Sequence, residues 1–379
     1  MRAAGRGDLP TSHGFGVRKT VRIGQQSDSN PCDVQAAFFR RGACAACGQP
    51  ERESVAGWRH AGRMGDAGLP APVRLGGIVT VPELIAAGVS RTRIRILVRQ
   101  GVLTPVCRGV YARPAAVQRG PRDDHALGLA AALAVSGPEA AGSHHSAALI
   151  HGLDLLGGVP AGIATLTRPP EAKGSRTGRP GIRLHTVALP ARHVVAAPGG
   201  VRVTSVARTV VDLARGSSLR AGVVTADSAL RLGLTTPAEL QRAIADCARW
   251  PGITRARQVA AFSDGRSESA LESLARVVFH EQGLPPPELQ VWVGGDDFPV
   301  GRVDFLWRRF RTVGEADGAL KYGRPAAARA QLQRDAQLRE AGFEVVHFTW
   351  GQIARVPYQV AAALLAAFEH GRQQGVRAG

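Results

Sequence analysis

The stretch Gly301–Tyr322, GRVDFLWRRFRTVGEADGALKY, constrains this chain more than any other. Arg302-Val303-Asp304-Phe305-Leu306-Trp307 alternates as a half-buried strand does, and Asp304 lies inside it. Arg308 to Arg311 reads as a short basic turn, and Thr312 to Asp317 as a second strand that stops at an Asp-Gly turn signal. The two strands are predicted to be neighbours that carry Asp304, Glu315 and Asp317. Glu315 and Asp317 then point to one face, because side chains two apart on a strand do. Carboxylates gathered in this way repel one another unless they share a proton or hold a hard divalent cation. A bound Mg²⁺ polarises a phosphodiester and lowers the pKa of a water, which is what phosphodiester cleavage needs. The spacing alone is equally compatible with solvated strand-end carboxylates beside a turn.

The flanking sequence favours a site. Glu272 stands on a predicted helix whose apolar stripe is Leu271, Leu274, Val278 and Phe279. Lys321 follows the Asp-Gly turn, Gln331 to Ala341 reads as a further helix, and Gly342 to Phe348 as a strand entered after a Gly stop. The order helix, strand, strand, helix, strand, helix predicts an α/β sandwich with the acids on its central hairpin.

This arrangement resembles the PD-(D/E)XK nuclease superfamily, and more closely the relatives of the very-short-patch-repair endonuclease. The matching residues are E-S-x-x-R at 272–276, G-L-P-x-P at 283–287, R-V-D-F-x-W at 302–307, G-E-x-D-G-x-x-K-Y at 314–322 and G-F-x-V-x-x-F-T-W at 342–350. The resemblance spans about the last third of the chain. It implies metal ligation by Asp304 and Glu315, a further ligand or active-site acid in Asp317, and a supporting helix carboxylate in Glu272. Mg²⁺ (or Mn²⁺) is the implied cofactor. The superfamily usually has a Lys two residues after the Glu, a place held here by Asp317. Either Lys321 reaches back from beyond the turn, or the domain is a non-cleaving descendant.

With 379 residues, 44% of them hydrophobic and 21% charged, the chain is globular and long enough for two or three domains. No charge-free apolar run of about 18 residues indicates a membrane span, and the cytoplasm is the expected location. The formal net charge of +18 favours polyanions, nucleic acid first, although an arginine-rich coding bias raises charge in the same way. Cys44 and Cys47 form a lone C-x-x-C beside Cys32, without the second ligand pair that a zinc site requires. Residues 1–73 show little periodicity and are expected to be a disordered or artefactual extension, Met64 being the only methionine after Met1.

Residues 74–115 are predicted to form a winged helix. Thr80 caps a short helix with Pro82 in its first turn and a Gly88 stop, and Ser90 caps a second helix over Arg91–Gln100. Ile94, Leu97 and Val98 form the inner face of that helix, with Arg91, Arg95 and Arg99 outward. Gly101–Val106 and Cys107–Tyr111 follow as two strands of a wing. The spacing G-V-x-R-x-x-I/L-x-x-L at 88–97 and R-G-V-Y at 108–111 is similar to the N-terminal domain of AbiEi-type antitoxins of type IV toxin–antitoxin systems. That resemblance implies a second helix in a major groove, with Arg91, Arg93, Arg95, Arg99 and Arg108 on phosphates or base edges.

Residues 116–260 are read as a mixed α/β middle domain of the same AbiEi-like type, carrying S-x-A-R-T-x-x-D-L at 205–213. Strands are expected at Ile163–Thr167, Ile182–Thr186 and Val201–Thr204. His144, His145 and His151 are read as cap and core histidines, because His144 and His145 are adjacent and point different ways. The last domain is placed at 264–372. The fold class is thus α/β (α+β multidomain), with a winged helix-turn-helix, a middle domain and a restriction-endonuclease-like sandwich. Three functions follow: a metal-dependent DNA endonuclease in repair or phage defence, a non-enzymatic regulator or antitoxin with a toxin partner, or a structural adaptor that binds another protein. DNA is the partner in the first two.

Overall fold

The computed structural model describes residues 77–114, 120–172, 180–197, 200–295, 298–318 and 325–377. The expectations for residues 1–73, for Cys32, Cys44 and Cys47, and for Lys321 lie outside them.

The first described element, β1 (Ile78–Thr80), leads into α1 (Val81–Ala86) through a capping box. Thr80 Oγ1 accepts the Glu83 N–H at 3.4 Å, while Glu83 Oε2 accepts the Thr80 N–H at 2.9 Å. Gly88 stops the helix with φ of +83°, a conformation that costs other residues energy. Ser90 Oγ then accepts the Arg93 N–H at 3.2 Å and starts α2 (Arg91–Arg99). β2 (Thr104–Cys107) and β3 (Val110–Ala112) complete a three-stranded sheet in the order β1-β3-β2. Leu84, Ile94 and Leu97 bury themselves against Val79, Val89 and Leu103, so the helix-turn-helix has its own small core. This is the predicted winged helix, with one strand, β1, that the sequence reading missed.

Helix α3 (Pro121–Ser136) serves two cores at once. Leu127, Ala130 and Ala131 pack on Ile78, Val110 and Ala112 of the winged helix. Leu129, Ala132 and Leu133 pack on Leu166 and Val203 of the middle sheet. That sheet has the order β6-β5-β4-β8-β7. Its strands are β4 (Ala141–Gly142), β5 (Ala164–Arg168), β6 (Ile182–Thr186), β7 (Val194–Ala196) and β8 (Arg202–Thr204). Gly142 is required there, since a Cβ would lie 2.9 Å from Leu129. Helix α4 (His144–His151) sits between β4 and β5 in sequence and stops at Gly152 in the left-handed region.

Four helices follow: α5 (Val206–Gly216), α6 (Leu219–Arg231), α7 (Pro237–Asp246) and α8 (Ile253–Phe262). Within α5, Arg208 and Asp212 form a fully buried pair, Nε to Oδ2 2.9 Å, one turn apart. The Arg208 guanidinium lies 4.4 Å from the Trp250 ring centre and donates to His193 Nδ1 at 2.9 Å. The S-x-A-R-T-x-x-D-L segment is therefore a buried staple of the middle region.

The C-terminal region starts at Ser269, whose hydroxyl accepts the Glu272 N–H and opens α9 (Ala270–Glu281). Strands β9 (Glu288–Gly295), β10 (Phe298–Trp307) and β11 (Thr312–Asp317) form an antiparallel meander. Helix α10 (Pro325–Glu340) crosses over to β12 (Glu344–Thr349), which runs parallel to β11. Helices α11 (Trp350–Arg355) and α12 (Pro357–Arg377) close the chain. The sheet order is β12-β11-β10-β9. The sequence reading missed β9, which directly follows the proline run 285–287, and the division of the closing helix into α11 and α12.

One face of this sheet carries an aromatic core. Phe279 of α9 meets Phe305, Trp307 and Phe348 edge-on, with ring centres 5.3, 5.4 and 5.5 Å away. Val224 of α6 belongs to the same core, and Val277 of α9 belongs to the core of the middle helices. Arg276 of α9 reaches Asp227 of α6 at 2.8 Å, both largely buried. Middle and C-terminal regions thus share apolar and ionic contacts through α6 and α9. No helix among the described residues is long and apolar enough to cross a membrane.

Candidate functional sites

The carboxylate site is assembled by α9, β9, β10, β11 and α10. Phe305 pairs with Gly314 across β10 and β11, so Asp304 and Glu315 are the next residues along the two strands. Asp304 does not stand free. Its Oδ2 accepts the Ala316 N–H at 2.9 Å, and its Oδ1 accepts from the Gln290 side chain at 3.2 Å. The same Gln290 amide donates to Glu272 Oε2 at 2.9 Å and so bridges two acids from different elements. Glu272, 6% exposed, also accepts the Glu268 N–H and the Ser269 hydroxyl. Burial, and then the nearby Asp304 charge, raise the Glu272 pKa above its ordinary value. Gln290 holds its bridge with φ of +55°, which costs a non-glycine residue about 1 kcal/mol or more.

Glu315 and Asp317 turn to other partners. Glu315, 2% exposed, takes the Arg334 guanidinium of α10 at 3.0 Å. The same Arg334 nitrogen also donates to the Arg302 carbonyl. Asp317 lies 3.3 Å from His347 Nδ1. His347 is on β12, in register with Glu315, and its Nε2 meets Asp335 of α10 at 2.9 Å.

The expected convergence of Asp304, Glu315 and Asp317 on one ion is not seen. Among the described residues no three His, Cys, Asp or Glu side chains are grouped to hold a metal ion. The reason is visible in the contacts: α10 supplies a cation to Glu315, β12 an imidazole to Asp317, and β9 an amide to Asp304. Mg²⁺ demands near-octahedral oxygen ligation, commonly from one or two carboxylates with substrate phosphate. As placed, Asp304 and Glu315 are engaged by N–H donors, contacts that an ion would have to share or displace.

Gln290, Arg334, Asp335 and His347 were not singled out in the sequence. Arg334 and Asp335 lie in a helix recognised only as a helix, and Gln290 on the strand that was missed. His347 meets Asp317 through parallel strand pairing, which leaves no local sequence signal.

The second site is the winged helix. Arg91, Arg93, Arg95 and Arg99 of α2 and Arg108 of the β2–β3 turn are all exposed. Ile94 and Leu97 face the core, so burial and charge segregate around α2. The outward face carries fixed positive charge at the spacing of a helix that enters a groove.

Residues 73–114 match the protein family described as "Transcriptional regulator, AbiEi antitoxin". The uncharacterized protein MT2308 of Mycobacterium tuberculosis is 31% identical over 292 residues, covering 76% of this chain and 100% of the relative. The uncharacterized protein Rv2248 of the same organism matches to the same extent.

Proposed function

The chain belongs to the same family as the uncharacterized Mycobacterium tuberculosis proteins MT2308 and Rv2248, and from the antitoxin-type match at residues 73–114 we propose that it is a DNA-binding regulator. The observation that carries this reading is the solvent-facing set Arg91, Arg93, Arg95, Arg99 and Arg108 on a winged helix whose Leu84, Ile94 and Leu97 are spent on its own core. The arginines take phosphates and base edges of duplex DNA, and α2 lies in the major groove. The antitoxin role brings a protein partner, the toxin, and the shared α3 couples the DNA-binding unit to the middle sheet. Fluorescence anisotropy with duplex DNA tests this. Alanine at Arg91 and Arg95 together should weaken binding and reduce the salt dependence by about one phosphate contact per arginine. Unchanged affinity and salt slope in that double variant would remove the winged helix from DNA recognition.

One observation favours a second reading, phosphodiester hydrolysis in the C-terminal region. Glu272 and Asp304 share one strained amide at the place where the nuclease resemblance puts its acids. Plasmid nicking with Mg²⁺ or Mn²⁺ is its test, beside Asp304→Ala and Glu315→Ala. Nicking lost in both variants supports it, and nicking retained in either sinks it.

A further inference from the structure

The middle sheet carries a polar corner that neither the winged helix nor the carboxylates use. At the start of α4, Ser143 occupies the N-cap position but makes no side-chain bond to the helix. Its Oγ instead accepts from Thr167 Oγ1 at 2.8 Å and lies 2.9 Å from His144 Nδ1. Thr167 donates to Ser143 Oγ; when Ser143 in turn gives its proton to His144 Nδ1, the ring carries its own proton on Nε2 and donates there. The ring is stacked on His185 of β6, centres 4.0 Å apart and planes 18° apart, with His144 at φ of +51°.

The floor of this corner is β5 and β6, which pair in parallel with Thr165 beside Arg183 and Thr167 beside His185. These four residues share one face of the two strands, and Thr167 Oγ1 shows that α4 begins on that face. Thr165 is 1% exposed and its N–H donates to Ser146 Oγ at 2.8 Å, so it abuts the same helix start. Its own hydroxyl is buried and has no hydrogen-bond partner. A buried unsatisfied hydroxyl is costly, and a ligand that accepts its proton would recover that cost. Arg183 is exposed on β6, the edge strand. The acid whose charge reaches His185 is Asp212, and it is committed to Arg208. The helix start, the hydroxyl, the imidazole and the guanidinium lie on one donor-rich face of β5 and β6.

We propose that this corner binds a phosphate group, held by Arg183, the Nε2–H of His144, the hydroxyl of Thr165 and the first turn of α4. The N–H groups of a helix start point at such an anion and its dipole favours negative charge. A buried hydroxyl, a half-buried imidazole and an exposed guanidinium complement a tetrahedral oxyanion better than they complement a metal ion. The electrostatics agree: burial first, and then His185, His145, Arg208 and Arg215, push His144 down to about 2, so its ring is neutral and available as a donor at ordinary pH.

Calorimetric titration of the full chain with inorganic phosphate tests the proposal, with thermal unfolding as a second readout. Thr165→Val removes the hydroxyl at nearly constant shape, and Arg183→Gln removes an exposed charge, so both variants should fold. The wild-type chain is expected to bind phosphate and to gain thermal stability with it. Arg183→Gln should weaken that binding about tenfold, and Thr165→Val by a smaller factor. Equal titrations for all three proteins, or no binding by the wild type, would overturn the site. Competition by a short DNA duplex that persists in the Arg91→Ala/Arg95→Ala variant would identify the group as a backbone phosphodiester. Binding indifferent to DNA would identify a small phosphate compound.

Discussion

The winged helix and the carboxylate site are built from the same kinds of residue and use them in opposite ways. Arg91, Arg93, Arg95 and Arg99 stand in solvent on α2, whereas Arg334 is spent on Glu315 and the Arg302 carbonyl inside the C-terminal region. Desolvation explains the contrast. A charge in water is available to a partner at little cost, while a charge with 2% exposure must be compensated by the fold itself. A charged residue in a motif therefore marks a binding group only when the surrounding packing leaves it uncommitted.

The largest effect that tests this contrast is at Arg276. Its pair with Asp227 ties α9 to α6, and Asp227 is fully buried. Arg276→Ala should cost about 3 to 5 kcal/mol, because it strands a buried carboxylate. Urea unfolding would measure it, and a loss below about 1 kcal/mol would mean that the pair is solvated in solution.

The same pair gives a pH-dependent test. Burial pushes the Asp227 carboxyl up to about 6 despite the lowering pull of Arg276. Between the unfolded value near 3.8 and that value, the folded state binds more protons than the unfolded one. The contribution of Asp227 to stability therefore falls as pH rises from about 4 to 6. The stability gap between wild type and Asp227→Asn should narrow over that window in thermal unfolding. A gap that widens with pH would show that the ionised pair is the stabilising form.

How much of each region was legible in sequence follows from the same distinction. The winged helix was readable because its signals are local: Thr80 with Glu83, Pro82, Gly88 and Ser90 all act within one turn. The β10–β11 hairpin was readable from alternation and the Asp-Gly stop. The partners at the carboxylates were not. Glu272 meets Asp304 through Gln290, and Asp317 meets Asp335 through His347, contacts set by strand register and helix docking. Ser143 stands at the start of α4 but does not cap it, since Thr167 and His144 engage its hydroxyl.

A smaller effect is expected at Ser90. Its hydroxyl accepts the Arg93 N–H at the start of α2, and Ser90→Ala should cost about 1 kcal/mol. Since the cap orders the turn that carries Arg91 and Arg93, DNA affinity should fall as well, by less than the loss caused by removing the arginines. Affinity unchanged at reduced stability would show that the first turn of α2 does not reach the duplex.

The smallest stability effect should accompany one of the larger functional ones. Arg95 is exposed on the outer face of α2, and Arg95→Gln keeps helix propensity and stem length nearly constant. Stability should change by no more than about 0.5 kcal/mol. DNA binding should weaken at every ionic strength, with the salt slope lower by about one if Arg95 meets a phosphate. A base contact would instead relax sequence preference at one position. Arg334→Gln provides the opposite case, since it leaves Glu315 buried without its guanidinium: it should lower stability and leave duplex affinity at the winged helix intact. If Arg95→Gln destabilised the fold as much as Arg334→Gln, exposure would not be what separates a binding arginine from a structural one.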